Sequence, residues 1–130
     1  MAIRHSDLDP FSAAWAAQVA ADCRDDSFFL EKSESFVGRI SLQSDSAAVH
    51  FDIRPAHVES GAGWPPDTTI GVRGTAADWR PILDGLPGGL HRAWREKRLE
   101  FVAEPAVLMD GYLVLFQLGE RVAESFGARG

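Results

Sequence analysis

The stretch that most constrains this chain is residues 67–101, where short elements follow one another between clear turn and capping signals. Thr69, Ile70 and Val72 favour a strand, with Ile70 and Val72 pointing to the same face of it. Thr75 can cap a following helix, and Asp78 stands at its third position, where a carboxylate stabilises the helix start. The stretch predicts a strand, two helices separated by a Gly/Pro break, and a second strand.

Each of these two helices carries one apolar stripe at helical spacing. The stripes consist of Trp79, Ile82 and Leu83 in the first helix, and of Leu90, Ala93 and Trp94 in the second. Pro81 lies inside the first helix and should kink or tighten it, because proline removes one backbone hydrogen bond. Leu99 and Phe101 then alternate as a closing strand.

Further strands are predicted before this stretch. Residues 36–42 and 49–53 alternate between apolar and polar side chains, and a polar turn at 43–46 joins them into a hairpin. Residues 56–60 could form a third strand after Pro55, and a loop follows at 61–66.

A helix is predicted near the start of the chain. Asp9 can cap it with Pro10 at its first position, and Phe11, Trp15 and Val19 would form its packing stripe. The first eight residues lack an apolar pattern and are expected to be a mobile arm.

A last segment is predicted to begin at Glu104 and Pro105 and to continue through residues 107–118 with apolar residues at helical spacing, but periodicity alone cannot separate a helix from a buried strand there. That segment is apolar on nearly all sides, so protein or ligand must cover more than one side of it. Between the first helix and the hairpin, residues 28–30 form an apolar patch that predicts a helical extension or a lid.

The length of the chain predicts a single domain spanning residues 1–130. Apolar residues make up 45% of the chain, which is enough for a core, and the single cysteine excludes a disulfide framework. The net charge of −6 argues against binding to nucleic acid. The start lacks a signal-peptide pattern, which predicts a cytoplasmic protein.

Taken in order, these motifs resemble the sterol carrier protein type 2 family of lipid-binding domains. The motifs are Thr69-Ile70, Asp78-Trp79, Ile82-Leu83-Asp84-Gly85, Ala93-Trp94 and Lys97-Arg98-Leu99-Glu100-Phe101. The resemblance is clearest over residues 67–101 and extends more loosely from 36 to 118. This chain has Glu96 and Lys97 where many members of the family have glycine.

The resemblance implies an α+β fold: a five-stranded, mostly antiparallel sheet covered by helices, with an apolar tunnel between them. It also favours a helix rather than a buried strand over residues 107–118. It also implies non-catalytic binding or carriage of a fatty acid, a sterol or a similar hydrophobic molecule, without a cofactor. The candidate ligand-binding residues are apolar or aromatic, and each of them could instead belong to the core. They are Trp79, Ile82, Leu83, Leu90, Trp94, Phe101, Leu108, Tyr112, Leu115 and Phe116.

Two other functions stay open at this point. A small enzyme of the cyclase or isomerase type could use Asp110, Tyr112 or a histidine for acid–base work on an apolar substrate, although no paired catalytic groups are evident. Alternatively, the fold could serve as an interaction module with a filled tunnel. His50 and Asp52 share a strand face, and His57 could join them as a metal ligand if the chain folds back, but we expect the solvent side of the hairpin there and no metal.

One basic run, residues 91–98, stands out in this acidic chain. It could face a phosphate, a carboxylate or an anionic membrane, although a solvated helix face is the simpler interpretation. Transient contact with a membrane or a partner enzyme is therefore possible. The chain could be a monomer, or a homodimer paired through residues 28–30.

Overall fold

The structure, a computed structural model, describes residues 10–34, 36–45, 47–84 and 89–127, with side chains as far as residue 122. The predicted arm and Asp9 lie outside the described residues. The elements in chain order are α1 (Ala13–Arg24), α2 (Ser27–Ser33), β1 (Gly38–Ser44), β2 (Ala47–Arg54), β3 (His57–Ala62), β4 (Ile70–Gly74), α3 (Ala76–Leu83), α4 (Gly89–Arg95), β5 (Glu100–Val102) and α5 (Pro105–Gly127).

The five strands form one mixed sheet in the order β3-β2-β1-β4-β5. Every neighbouring pair is antiparallel except β1 and β4, which run parallel with Leu42 opposite Val72. The predicted hairpin is present, with Leu42 opposite Val49. The α+β class and the mostly antiparallel five-stranded sheet are thus confirmed.

One face of the sheet is apolar and covered by helices. Val49, Phe51 and Ile53 point to that face and are at most 1% exposed, as their alternation predicts. Helix α1 packs mainly on β3, and α5 crosses the other helices and contacts β4. His50 and Asp52 lie on the opposite face, which carries polar side chains.

The start of α1 differs from the prediction. The helix begins at Ala13 rather than Pro10, and Ser12 caps it by accepting a hydrogen bond from the Trp15 N–H at 3.2 Å. Phe11 precedes the helix with a φ of 66°, an uncommon conformation for an aromatic residue. That turn buries its ring 5.0 Å from the rings of Trp15 and Trp79. The chain therefore reverses before the helix to complete an aromatic cluster.

Helix α3 begins where the sequence predicts. The Thr75 hydroxyl accepts a hydrogen bond from the Asp78 N–H at 3.2 Å, and the Asp78 carboxylate accepts one from the Thr75 N–H at 2.9 Å. Hydrogen bonding to its carboxylate from the backbone and the side chain of Thr75 lowers the pKa of Asp78. Pro81 lies inside the helix, also as predicted.

Helix α2 includes residues 28–30 and is tied to α5 through its cap, Asp26. Its carboxylate accepts hydrogen bonds from the N–H groups of Phe28 and Phe29 and from the Gln117 amide at 2.7 Å, and Arg121 lies 3.3 Å away. Burial would raise the pKa of Asp26, but the bonds from Gln117 and Phe29, with the charge of Arg121, lower it. One carboxylate therefore joins two helices.

Helix α4 ends in a motif that usually needs glycine. The Arg98 N–H donates to Ala93 O at 2.9 Å, and the Lys97 N–H donates to Trp94 O at 3.1 Å. Lys97 takes the left-handed conformation of this cap, with a φ of 57°. This is the turn where many members of the resembled family carry glycine, so Lys97 makes the same reversal at a cost in backbone strain.

Candidate functional site

The ten predicted ligand-binding residues fall into two groups. Five belong to the buried core, with relative exposures between 0% and 9%. These are Trp79, Ile82, Leu83, Leu90 and Leu115. The other five are half-buried or exposed, and they are Trp94, Phe101, Leu108, Tyr112 and Phe116.

Trp79 shows how firmly the first group is held. Its side chain is 0% exposed, and its indole N–H donates to Gln43 O at 2.7 Å. Phe11 packs edge-on against it. Because the ring is buried and its one donor is satisfied, Trp79 anchors α3 to β1.

The second group contains four rings that contact one another in a chain, which we call the aromatic patch: Phe101, Trp94, Phe116 and Tyr112. Trp94 lies 6.3 Å from Phe101 and 6.1 Å from Phe116, and Tyr112 lies 5.7 Å from Phe116, between ring centroids. Trp94 is 43% exposed and Tyr112 is 38% exposed. The aromatic patch therefore joins α4, β5 and α5 and presents part of its apolar area to solvent.

Two glycines bring α5 close to its neighbours and so position the aromatic patch. A Cβ on Gly111 would lie 2.6 Å from the Phe36 ring and 2.8 Å from Ile70. A Cβ on Gly119 would lie 2.6 Å from Leu90, on α4. Because such contacts are too short for a methyl group, only glycine lets α5 approach both the sheet and α4 this closely.

Within the described residues, protein buries one side of α5 and leaves another side of its first half exposed. Val114, Leu115 and Leu118 are buried, but Met109 is 68% exposed and Leu113 is 42% exposed. The exposure of these two residues was not predicted from the sequence. Met109 and Leu113 are four residues apart, so they lie on one face of α5 beside the buried stripe. The spacing predicts this second apolar face but does not identify its neighbours.

The basic run lies on α4 and the turn after it. Glu96 accepts a hydrogen bond from Arg92 at 3.0 Å and forms an ion pair with Arg98 at 2.8 Å, and the bond from Arg92 lowers the pKa of Glu96. Arg95 and Lys97 are exposed and have no ion-pair partner among the residues that the structure describes. The basic run is therefore exposed to solvent, as predicted, with Glu96 as its acidic centre.

The side chains considered for acid–base catalysis, His91, Asp110 and Tyr112, lie in different local environments. The ring of His91 packs edge-on against Phe116 at 5.0 Å, and Asp110 is exposed on α5. In the described part of the chain, no hydrogen bond joins His91, Asp110 or Tyr112 to another of the three.

The residues considered for a metal have protein partners. His50 Nδ1 lies 3.2 Å from Gly63 O, His57 lies 3.2 Å from Glu59, and Asp52 pairs with Arg39. That hydrogen bond from Arg39 lowers the pKa of Asp52. Among the described residues, no three His, Cys, Asp or Glu side chains cluster as metal ligands would.

Cys23 is a core residue of α1. It is 0% exposed, and burial raises the pKa of its thiol, which disfavours the reactive thiolate.

Two surface clefts that the described residues line have charged and polar walls. One, of about 290 Å³, lies around Arg39, Asp52 and Asp67, and the other, of about 530 Å³, lies around Asp45, Arg73 and Lys97. Neither cleft includes a residue of the aromatic patch. The apolar tunnel between sheet and helices stays a prediction.

None of the helices in the described residues is both long enough and apolar enough to cross a membrane. No family model matches the sequence, and no curated protein matches it significantly.

Solved structures do match. The crystal structure of sterol carrier protein 2 is 17% identical, with 89% of this chain and 98% of that chain covered and a TM-score of 0.73. A conserved hypothetical protein of Thermus thermophilus is 17% identical over 95% and 94% of the two chains, with a TM-score of 0.70. The apo form of Yarrowia lipolytica sterol carrier protein 2 is 14% identical over 89% and 95%, with a TM-score of 0.56. The chain therefore has the sterol carrier protein 2 fold.

Proposed function

We propose that this protein binds a lipid or another hydrophobic small molecule without catalysing a reaction, and that the aromatic patch is where the ligand makes contact. The single observation that carries the proposal is the chain of touching rings from Phe101 through Trp94 and Phe116 to Tyr112, open to solvent on one side. Two proteins of the same fold are named as sterol carriers, which supports a ligand of this class.

Physical chemistry supports an apolar ligand at this place. Partly exposed aromatic rings gain free energy when an aliphatic chain or sterol ring covers them, because apolar area leaves water. Binding of this kind needs buried area and no catalytic group. Apolar contact is what the exposed parts of the four rings can provide to a ligand.

The five buried members of the predicted site would then form the packed wall beneath the ligand. The dissociation constant of the ligand distinguishes binding on the surface of the aromatic patch from binding in an enclosed site between α5 and the sheet. Ten fully enclosed methylenes gain about 8 kcal/mol, near micromolar affinity, whereas a chain covered on one side gains about half of that. Micromolar binding of a fatty acid would therefore require an enclosed site.

The first experiment looks for a natural ligand. The purified protein would be denatured and extracted with organic solvent, and the extract analysed by mass spectrometry. We expect a hydrophobic molecule in a fixed ratio to protein. An extract without such a molecule, together with no binding of a fluorescent fatty acid, would contradict the proposal.

The second experiment locates the site with matched variants. Trp94→Ser removes the central ring of the aromatic patch, and Phe28→Ser removes a ring of similar exposure, 45%, on α2. We expect Trp94→Ser to weaken fluorescent fatty-acid binding by about tenfold, the effect of about 1.4 kcal/mol. Phe28→Ser should leave it unchanged. Equal losses in both variants would show that the patch is not the site.

A further inference from the structure

The imidazole of His91 differs from those of the other two histidines that the structure describes. His50 Nδ1 lies 3.2 Å from Gly63 O, and His57 Nε2 lies 3.2 Å from Glu59 Oε1. His91 is exposed on α4, and within the described part of the chain no hydrogen bond or ion pair involves its ring nitrogens. These nitrogens can therefore bind a molecule from outside the chain.

The ring of His91 also lies against the aromatic patch. Its centroid is 5.0 Å from that of Phe116, with the two planes at 87°, and 6.2 Å from that of Trp94. The contact with Phe116 is shorter than the contacts within the patch, which range from 5.7 Å to 6.3 Å. His91 is therefore a fifth ring of this surface, and it lies beside the two middle rings of the patch.

The surroundings of His91 favour a polar group without charge. Exposed carboxylates at Glu96, Asp110 and Glu120 accompany the cations of the basic run. The Glu120 carboxylate lies 3.3 Å from the position of a Cβ on Gly89, two residues before His91. Because charges of both signs are present, the surface does not select an ionised head group. A neutral imidazole has one N–H donor and one acceptor nitrogen, and both can bond an uncharged hydroxyl group.

We propose that His91 determines the ligand specificity of the aromatic patch, by forming a hydrogen bond with an uncharged oxygen at the polar end of the ligand. The aliphatic part of the ligand then lies over the rings, where it gains free energy by leaving water. The imidazole fixes which end of the ligand lies beside α4, as a few polar groups do in other apolar sites. The site therefore prefers a long-chain alcohol to a hydrocarbon of the same length. This inference rests on the proposed function, because it concerns the same ligand site.

The test compares 1-decanol with 1-chlorodecane as competitors of a bound fluorescent fatty acid. The two ligands have the same chain length, but only the alcohol forms a strong hydrogen bond. His91→Phe keeps a ring beside Phe116 and removes both nitrogens. The matched control, His57→Phe, removes an imidazole from β3, at the opposite edge of the sheet from β5. Comparing the ratio of the two affinities between proteins cancels the difference in transfer from water between the ligands.

We expect His91→Phe to weaken binding of decanol about fivefold, the effect of one hydrogen bond of about 1 kcal/mol. Binding of chlorodecane should stay within about twofold, and His57→Phe should change neither affinity. A second measurement uses the unchanged protein, so it does not depend on the folding of a variant. The nitrogen-15 resonances of the His91 imidazole should shift when decanol is added and stay in place when chlorodecane is added.

Several results would overturn the assignment of His91. These are an equal effect of His91→Phe on both ligands, no effect on either, or imidazole resonances that respond alike to the two. A loss confined to decanol in Tyr112→Phe, and absent from His91→Phe, would place the polar contact at the end of the aromatic patch instead. If neither ligand binds to the unchanged protein, the proposed function fails. If both bind without a preference that depends on His91, only the present inference fails.

Discussion

Trp79 and Trp94 carry the same type of side chain and belong to the same predicted site, yet their surroundings differ completely. Trp79 is 0% exposed and donates its indole N–H to Gln43, whereas Trp94 is 43% exposed and touches other half-open rings. We call the surroundings of Trp79 the closed side, because protein buries the ring, and the surroundings of Trp94 the open side, because part of its ring faces solvent. The difference teaches that helical spacing identifies apolar residues, while the neighbouring elements decide whether they stabilise the fold or remain available to a partner.

The largest expected effect separates these two tryptophans by stability. Trp79→Ala should lower the free energy of unfolding by about 3–5 kcal/mol, because it leaves a cavity and an unpaired carbonyl at Gln43. Trp94→Ala should lower it by less than about 1.5 kcal/mol, since much of its ring is already in water. Urea unfolding would measure both, and equal losses would contradict the division into closed and open sides.

A second comparison uses the two faces of α5. Gly111→Ala should lower the free energy of unfolding by about 1–3 kcal/mol, because the added methyl would meet Phe36 and Ile70. Met109→Ala, on the exposed face, should change it by less than about 0.5 kcal/mol. The same unfolding experiment applies. A neutral Gly111→Ala would mean that α5 does not approach the sheet as closely as described.

A third prediction concerns the pH dependence of the free energy of unfolding, through the contact of Asp26 with Gln117 and Arg121 on α5. The folded-state pKa of Asp26 is lowered, below an unfolded value of about 3.9. Its contribution is therefore present above that value and lost as the pH falls through the folded-state pKa.

Asp26→Asn keeps a capping side chain but removes the charge, so it isolates this effect. At pH 7 the variant should be about 1–2 kcal/mol less stable than the unchanged protein. The difference should shrink as the pH is lowered below about 4. A difference that stays constant down to acidic pH would show that the charge of Asp26 does not stabilise the contact.

The smallest effect has the opposite sign and lies on the open side. Lys97→Gly should raise the free energy of unfolding by about 0.5–1 kcal/mol, because glycine adopts the left-handed cap conformation without strain. Arg95→Gly, inside α4, should lower it by a similar amount. A loss of stability in Lys97→Gly would mean that the turn is held by the lysine side chain.

Local signals in the sequence predicted much of this fold, since they depend on neighbours in the chain. Thr75 and Asp78 bond each other across three residues, so their pattern could locate the start of α3. The start of α1 could not be predicted in this way. Phe11 turns out of the helix to reach Trp79, 68 positions away, and a contact at that distance leaves no local pattern.

The candidate site was predicted by residue type, but its division into two groups was not. Leu115 and Tyr112 lie on the same helix and both fit the apolar pattern. The packing of other elements against one side of α5 leaves Leu115 0% exposed and Tyr112 38% exposed, and neither residue type determines this. Similarly, the parallel pairing of β1 with β4 depends on how distant strands meet and has no signal in either strand.

The most direct test of the account follows the indole N–H signals of the protein by nuclear magnetic resonance while a fatty acid is added. Trp94→Phe would assign the Trp94 signal, and Trp79→Phe the Trp79 signal. We predict that the Trp94 signal shifts and saturates while the Trp79 signal, held by Gln43, stays in place. A shift of Trp79 with an unchanged Trp94 would contradict the claim that the open aromatic patch receives the ligand.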